Sequence, residues 1–309
     1  MTHFAHKTTS LDEVLPALLP QANGRYADGT LGGGGHAAAI LAASSPSGFL
    51  FGCDRDGDAV AAASEWLSPF AGRFEIRRGN FDELAEWVPA GSCDGVLLDL
   101  GVSSPQLDRG ERGFSFQAEG PLDMRMDQGQ TLTAADLVNQ SSAADLAKIF
   151  WELGDEQASR RIAQAIVEER RGRPFTTTRQ LAGLIEKIVP RHGKKAHPAT
   201  KVFQALRIAV NDEIGCLQRG LEGALQILKP GGRLAVITFH SLEDRTVKLW
   251  ARHLARDYEV PGDVDVPALR QPVAPRLRLV SRKAIQPSDQ EVRDNPRSRS
   301  AQLRVVEKI

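Results

Sequence analysis

Short apolar runs alternate with helical periodicity over the first hundred residues of the chain. Four runs read as buried strands, and the segments between them place apolar residues three and four apart, as helices do. The pattern predicts strands at 24–27, 48–53, 74–77 and 95–100, and helices at 11–19, 37–43 and 58–66. Strands that alternate with helices form a parallel sheet with crossover helices, so we expect an α/β fold.

A second pattern begins after Gln106. The segment 107–127 is rich in Gly, Arg, Asp and Met and predicts an ordered loop. Helices are predicted at 143–153, 157–171, 178–189 and 199–228, with N-caps at Ser141 or Ser142 and at Thr176 or Thr177. A strand at 233–239 and a closing pair at 276–281 and 301–306 resume the first pattern. The simplest organisation is an α/β domain, 1–110 and 212–309, interrupted by an all-helical insertion, 111–211.

Composition excludes several protein classes. The 309 residues suffice for one large domain or two ordinary ones, and a charged fraction of 25% is that of a globular protein. No apolar run approaches the roughly 18 residues of a membrane helix, and the first residues have no apolar signal-peptide core. Cys53, Cys93 and Cys216 lie far apart, which disfavours a disulfide scaffold and a cysteine metal site. We expect a soluble, cytoplasmic protein without a metal or a membrane partner.

The formal net charge is zero, but its distribution is uneven. Segment 159–207 has twelve Lys and Arg against three Asp and Glu, a net charge of +9. Such a basic segment can guide a polyanion, although a pair of solvated helices would look the same. The candidate phosphate contacts are the cations of this segment: Arg160, Arg161, Arg170, Arg171, Arg173, Lys194 and Lys195.

A glycine-rich segment, 28–36, follows the first predicted strand and opens the first crossover helix. Glycines at such a turn let the backbone approach a ligand closely. Asp54 lies 20 residues after Gly34, at the end of the next strand, where a carboxylate accepts hydrogen bonds from ribose hydroxyls. Glycines alone would indicate only a flexible turn, but this context predicts a ligand that contains adenosine.

The loop fits S-adenosylmethionine better than a dinucleotide. The pattern G-x-G-x-x-G is broken at Ala37, whereas D-G-x-x-G-x-G is complete. Phe81 follows the third strand, where it can pack on adenine or serve as a core aromatic, and Asp82 beside it can be a helix N-cap. Asp99 ends the fourth strand and points toward the crevice where open α/β sheets bind ligands. A carboxylate in that apolar strand is costly unless it is paired.

Two further segments supply candidate substrate contacts. Ser104-Pro105-Gln106 partly resembles a motif of methyltransferases that act on exocyclic amines, although its aromatic residue is absent. Acceptors that hold the amine protons would aim the nitrogen at the methyl group, and Asp99, Ser103, Ser104 and backbone carbonyls are candidates. Gln106 can bond the cofactor or the base. His240 follows a strand and can contact a base or simply start a helix. Asp99, Ser104 and His240 are therefore the candidate catalytic residues.

Several long strings match one bacterial family over nearly the whole chain. They are 28–36, 97–108, 111–116, 120–127, 197–213, 238–245 and 295–300. On these strings the sequence resembles the MraW family of ribosomal RNA small subunit methyltransferases. Two departures are minor: the loop has four consecutive glycines, and the N-terminal segment is less apolar than usual.

The resemblance implies a Rossmann-like class I methyltransferase domain with a mostly parallel sheet and S-adenosylmethionine as methyl donor. It implies methylation of the N4 amine of a cytidine in the decoding centre of 16S rRNA, within the small ribosomal subunit. The implied cofactor contacts are Gly34, Gly35, His36, Asp54, Phe81, Asp99 and Gln106.

Other functions compete with this interpretation. A nicotinamide-dependent dehydrogenase would use the same loop and Asp54, but the broken dinucleotide pattern disfavours it. A non-catalytic RNA-binding protein is disfavoured by the intact loop and its acidic partners. A methyltransferase that acts on DNA or on a small molecule is disfavoured only by the resemblance. The sequence leaves open whether the chain forms a homodimer and whether naked RNA or an assembled subunit is the substrate.

Overall fold

The computed structural model describes residues 8–190, 197–261 and 264–309. Its strands, in chain order, are β1 (Arg25–Asp28), β2 (Phe49–Asp54), β3 (Phe74–Arg78), β4 (Cys93–Asp99), β5 (Leu228–Thr238), β6 (Tyr258–Glu259), β7 (Gln271–Pro272), β8 (Leu277–Leu279) and β9 (Gln302–Lys308).

The α-helices are α1 (Leu11–Leu18), α2 (Gly35–Ala43), α3 (Gly57–Trp66), α4 (Leu84–Trp87), α5 (Ser104–Asp108), α6 (Ala134–Gln140), α7 (Ala143–Glu152), α8 (Ser159–Glu169), α9 (Thr178–Ile188), α10 (Thr200–Asn211), α11 (Glu213–Ile227), α12 (Ser241–Leu254) and α13 (Asp289–Asp294). Within the described ranges, no helix combines the length and apolar character that a membrane crossing requires.

The chain divides into two compact units. One combines the chain up to Gly101 with Ile214–Ile309, and the other is Val102–Glu213. The sequence places the start of the insertion at 111, whereas the second unit starts at Val102. The assignment of cofactor binding to one unit and substrate recognition to the other stays a prediction.

The first unit is built on a seven-stranded sheet with the order β3-β2-β1-β4-β5-β9-β8. Strands β1 to β5 are parallel, whereas β9 is antiparallel to both β5 and β8. The strand order reverses between β1 and β4, where an α/β sheet opens a ligand crevice at its carboxyl edge. The mostly parallel, Rossmann-like sheet expected from the sequence is confirmed, including its closing antiparallel pair.

Both faces of this sheet are buried, because successive side chains along each strand point to opposite sides. On β4, Val96 and Leu98 belong to one apolar cluster and Leu97 belongs to the other. Helices α4, α11 and α12 cover the first face, and α1, α2 and α3 cover the second. This two-sided burial leaves the strand ends as the places where polar side chains can reach a ligand.

The second unit packs α6 to α10 around its own apolar core, which includes Leu146, Phe150 and Ile166. The predicted ordered loop at 107–127 is largely irregular and is held by specific bonds. Asn211 donates to the carbonyl oxygens of Met124 and Arg207 and accepts from the amide of Met126. A single buried amide side chain therefore joins this loop to the end of α10.

Several sequence expectations need correction. The helix predicted at 199–228 is two helices, because Asp212 adopts a left-handed conformation with φ 48° and ends α10. Helix α6 was not predicted, although Thr133 and Asp136 form a capping box at its start. Helix α12 was indicated only by the helix-start alternative for His240, and β5 begins five residues earlier than expected, at Leu228. The N-cap alternatives resolve to Ser142 and Thr177.

Replacing Asn211 with Ala should lower the free energy of unfolding by about 2 kcal/mol, because it leaves two buried carbonyls and an amide without this partner. Urea unfolding followed by circular dichroism measures the change. Gln140→Ala, which removes an exposed amide from α6, is the control and should change stability by less than about 0.5 kcal/mol. Equal stability of the two variants would contradict the conclusion that Asn211 holds this loop against the end of α10.

Candidate active site

The glycine-rich loop between β1 and α2 has a backbone that other residues would not adopt easily. Gly32 and Gly34 have φ angles of 50° and 84°. A Cβ on Gly34 would also lie 3.3 Å from Ala63 of α3. Both the left-handed backbone and the close approach of α3 therefore require glycine at this turn.

Hydrogen bonds from both neighbouring strands fix the loop. The amide of Leu31 donates to the carbonyl oxygen of Cys53 on β2 at 3.0 Å. On the other side, the amide of Asp99 on β4 donates to Oγ1 of Thr30 at 2.6 Å. The start of α2 is thereby held at the carboxyl edge of the sheet. Helix geometry leaves the first-turn N–H groups of Gly35 and His36 without a partner inside α2.

Asp54 also helps to hold the glycine-rich loop in place. Its Oδ2 accepts from the amide of Gly32 at 2.8 Å, and its Oδ1 accepts from the amide of Asp56 at 2.9 Å. Burial raises the pKa of Asp54, while the two backbone donors oppose the rise. The carboxylate therefore shapes the loop in addition to any ribose contact, which stays a prediction.

Asp28, His36 and Asp99 form a cluster of ionisable side chains beside the loop. Nε2 of His36 lies 3.6 Å from Oδ2 of Asp99. Asp28 Oδ1 accepts from the amide of Thr30, and Asp28 and His36 are almost fully buried. Burial raises the pKa of Asp28 to about 6, and the neighbouring His36 opposes that rise. These side chains come from the ends of β1 and β4 and from the first turn of α2.

The cluster contains buried polar atoms that have no hydrogen-bond partner among the described residues. They are Oδ2 of Asp28, Oδ1 of Asp99 and both ring nitrogens of His36. Unpartnered buried polar atoms are rare and costly in folded proteins. An arrangement of acceptors beside free helix N–H groups suits a ligand that has both an ammonium group and a carboxylate.

Phe81 packs mainly inside the first unit. Its Cβ lies against Gly29 of the loop, and its ring lies against Gly220 of α11. The core-aromatic alternative therefore describes part of its role, and the adenine contact stays a prediction. The expectation that Asp82 is a helix N-cap is wrong, because Asn80 caps the turn and Asp82 pairs with Arg219.

His240 is the N-cap of α12 at the end of β5, one strand from Asp99. Its Nδ1 accepts from the amide of Glu243, and Nε2 lies 3.1 Å from Oε1 of Glu243. Glu243 in turn accepts from the amides of Phe239 and His240. The helix-start alternative is confirmed, and a contact between His240 and substrate stays a prediction.

Ser104 and Gln106 belong to the second unit, in the short helix α5. Oε1 of Gln106 accepts from the amide of Ser103, and Oγ of Ser103 accepts from the amide of Gln106. This reciprocal pair is a capping box, so Gln106 has a structural role that its motif did not indicate. The cofactor contact of Gln106 and the substrate contact of Ser104 stay predictions.

The basic candidates of the second unit fall into three groups. Arg161 and Arg170 donate to the carbonyl oxygens of Ile188 and Val138, so part of their bonding capacity is used inside the unit. Arg160, Arg171 and Arg173 are exposed, as Arg161 is. Lys194 and Lys195 lie outside the described residues.

Asp28 and Thr30 lie in the glycine-rich segment 28–36, but neither was predicted to be a site residue. Asp28 ends β1 next to β4, which places its carboxylate beside His36. Thr30 bonds both Asp28 and the backbone of Asp99. The signal available was the position of Asp28 at a strand end, the same signal that selected Asp54 and Asp99.

Comparison with known proteins gives consistent matches over the full length. The chain matches the model of the MraW methylase family over residues 3–309. It is 50% identical over 311 residues to the ribosomal RNA small subunit methyltransferase H of Symbiobacterium thermophilum, covering 99% of this chain and 97% of that protein. It is also 50% identical over 314 residues to the protein of that name from Geobacter sp. strain M21, with 100% of both covered.

Solved structures to which the chain is similar have much lower sequence identity. An rRNA methylase from Streptococcus thermophilus aligns with a TM-score of 0.44 and 13% sequence identity, covering 97% of this chain and 94% of that chain. At that level the likeness contributes nothing to the description of the site.

Replacing Asp54 with Ala should raise the dissociation constant for S-adenosylhomocysteine by roughly tenfold or more, because a charge-assisted acceptor is lost and the amide of Gly32 loses its partner. Isothermal titration calorimetry measures this change. Glu65→Ala, on the exposed face of α3, removes an equal charge and should bind as the wild type does. Wild-type affinity in Asp54→Ala would remove Asp54 from the site.

Asp28 should make stability depend on pH. Its native pKa of about 6 lies above its ordinary value of 3.8, so the native state holds the proton more tightly than the unfolded chain. Its contribution is then fully present below about pH 4 and is lost as the pH rises through about 6. Asp28→Asn should flatten this fall by about 3 kcal/mol in urea titrations, and the exposed Asp58→Asn should not. Identical pH profiles for wild type and Asp28→Asn would refute the assignment.

Proposed function

The chain belongs to the MraW methylase family, and we propose that it methylates the N4 amine of a cytidine in the decoding centre of 16S rRNA. Its methyl donor is S-adenosylmethionine. The relatives from Symbiobacterium and Geobacter are named for methylation of ribosomal RNA of the small subunit, and they match this chain from end to end.

The residues beside the loop suit the ribose, the ammonium group and the carboxylate of this methyl donor. Asp54 ends β2, where it has carboxylate oxygens within reach of ribose hydroxyls. Asp28 offers an unpartnered acceptor oxygen for an ammonium group, and the first turn of α2 offers N–H groups for a carboxylate. When bound, S-adenosylmethionine supplies an electrophilic methyl group on a sulfonium sulfur.

The chain's own residues would then position the nucleophile. The exocyclic amine of cytosine is weakly nucleophilic because its lone pair is delocalised into the ring. Oδ1 of Asp99, buried and unpartnered at the end of β4, can accept a hydrogen bond from that amine and orient its lone pair. As the nitrogen bonds to the methyl carbon, the bond from that carbon to sulfur would break, and the proton that the amine loses would pass to water. Positioning supplies most of the rate in such a transfer, so no dedicated base is required.

A base must leave its stack before it can enter such a pocket, so the substrate cytidine is single-stranded or flipped. The cations of the second unit would contact the RNA backbone, since phosphates dominate the affinity of such complexes. We place the reaction in the cytoplasm, on RNA of the small ribosomal subunit. The observation that carries the proposal is the buried Asp28–His36–Asp99 cluster at the mouth of the glycine loop.

Methyl-labelled S-adenosylmethionine and small ribosomal subunits that lack the modification test the proposal. The wild type should place label in N4-methylcytidine, identified by mass spectrometry of digested nucleosides. Asp99→Asn should lower the turnover number by roughly a hundredfold, because the charged acceptor beside the amine is lost. Glu86→Gln, on α4, is the control and should retain full turnover.

Two outcomes would contradict separate parts of the proposal. Label in another nucleoside, or none on subunits, naked 16S rRNA and assembly intermediates alike, would overturn the substrate assignment. Full turnover by Asp99→Asn would overturn the role of Asp99 and leave the substrate assignment standing.

A further inference from the structure

Helix α12 has a row of cations that the functional site does not use. It begins at His240 and packs Val247 and Ala251 into the core of the first unit. Its opposite face presents Arg245, Lys248 and Arg252. Spacings of three and four residues put these side chains on one face of a helix. We call these three residues the α12 cation row.

Local acidic groups do not neutralise the row. Asp244 is the only acid three or four residues from any of its members, and both Asp244 oxygens accept from Arg304 on β9. Among the described residues, the row makes no ion pair or hydrogen bond. A further side-chain contact from this helix, in which Trp250 donates to Glu222 of α11, lies beside its buried face. The three charges therefore remain available to a partner.

The row is unfavourable for the isolated helix. Arg245 and Lys248 are three residues apart, and Lys248 and Arg252 are four apart, and like charges at these spacings destabilise a helix. From Arg245 to Arg252 the row extends about 10 Å at 1.5 Å per residue. A line of unneutralised cations of this length is complementary to a chain of phosphates.

The position of the row relates it to the candidate active site. Helix α12 starts at the end of β5, and Asp99 ends β4 beside it in the sheet. Both are parts of the first unit, so the relation does not depend on the second unit. We propose that the α12 cation row binds the RNA backbone that flanks the target cytidine, an inference that rests on the proposed function.

An anionic membrane is a weaker match to this surface. A membrane-surface helix buries a free apolar face in lipid, whereas the apolar face of α12 is packed against the sheet. Leu249, which is 56% exposed, is the large apolar side chain within the row. Binding to a phosphate backbone requires only cationic side chains that can reach the phosphates, and the row supplies them.

The test compares two triple variants with equal loss of charge. Arg245→Gln/Lys248→Gln/Arg252→Gln removes the row. Lys229→Gln/Arg276→Gln/Arg278→Gln removes three surface cations from the strand starts at the opposite edge of the sheet. The probe is fluorescent, unmodified 16S rRNA transcript, titrated at several salt concentrations in the presence of S-adenosylhomocysteine.

We expect the row variant to bind the transcript at least roughly tenfold more weakly at moderate salt, with a salt dependence shallower by about 2 in log–log slope. The opposite-edge variant should bind as the wild type does. Calorimetry with S-adenosylhomocysteine should give the wild-type affinity for both variants, which shows that the fold and the cofactor site are intact.

Equal transcript affinity of the two variants would overturn the inference. Loss of binding to phosphatidylserine vesicles with unchanged RNA binding would also overturn it and would assign the row to a membrane. If the wild type transfers no methyl group to small subunits but only the row variant loses the transcript, the proposed reaction fails and the RNA-binding row stands.

Discussion

The anchoring of the glycine loop to both neighbouring strands is the constraint on which the site depends. Thr30 accepts from the backbone of β4, Leu31 donates to the backbone of β2, and Asp54 accepts from Gly32. A turn with left-handed glycines has many accessible conformations, and these three bonds select one. Because α2 starts directly after the loop, they also fix where its free N–H groups and His36 lie.

Much of the first unit could be predicted because local pattern and tertiary structure agree there. Buried strands are continuous apolar runs in an α/β sheet, and strand ends mark its carboxyl edge. The positions of Asp54 and Asp99 follow from those two rules. The break at Asp212 could not be predicted, because the helical pattern of apolar residues continues through it. Only the left-handed backbone conformation of Asp212 ends the helix. The bond from Arg219 to Asp82 joins residues 137 apart in sequence, beyond any local signal.

Capping gives Gln106 a role that its motif did not indicate, and it confirms the helix-start alternative for His240. Gln106 lies three residues after Ser103, and Glu243 lies three residues after His240. Both spacings are typical of a capping box, but the motifs around Gln106 and His240 also suggested ligand contacts. The two roles are compatible, since a capping side chain is held in one rotamer. A residue fixed in that way can meet a ligand with little further loss of conformational entropy.

The contrast between the buried cluster and the cation row indicates how the protein divides recognition. Asp28, His36 and Asp99 have unpartnered atoms in a buried setting, where each interaction is strong and geometry decides which ligand fits. The cations of α12 are solvated, so each contributes little and responds to salt rather than to shape. Affinity for a long polyanion can therefore come from the surface without relaxing the choice of base and methyl donor in the pocket. Both arrangements destabilise the free protein, the first by desolvation and the second by like-charge repulsion, and a bound ligand would relieve each. Such sites tolerate a stability cost because binding free energy adds to that of folding when the ligand is present.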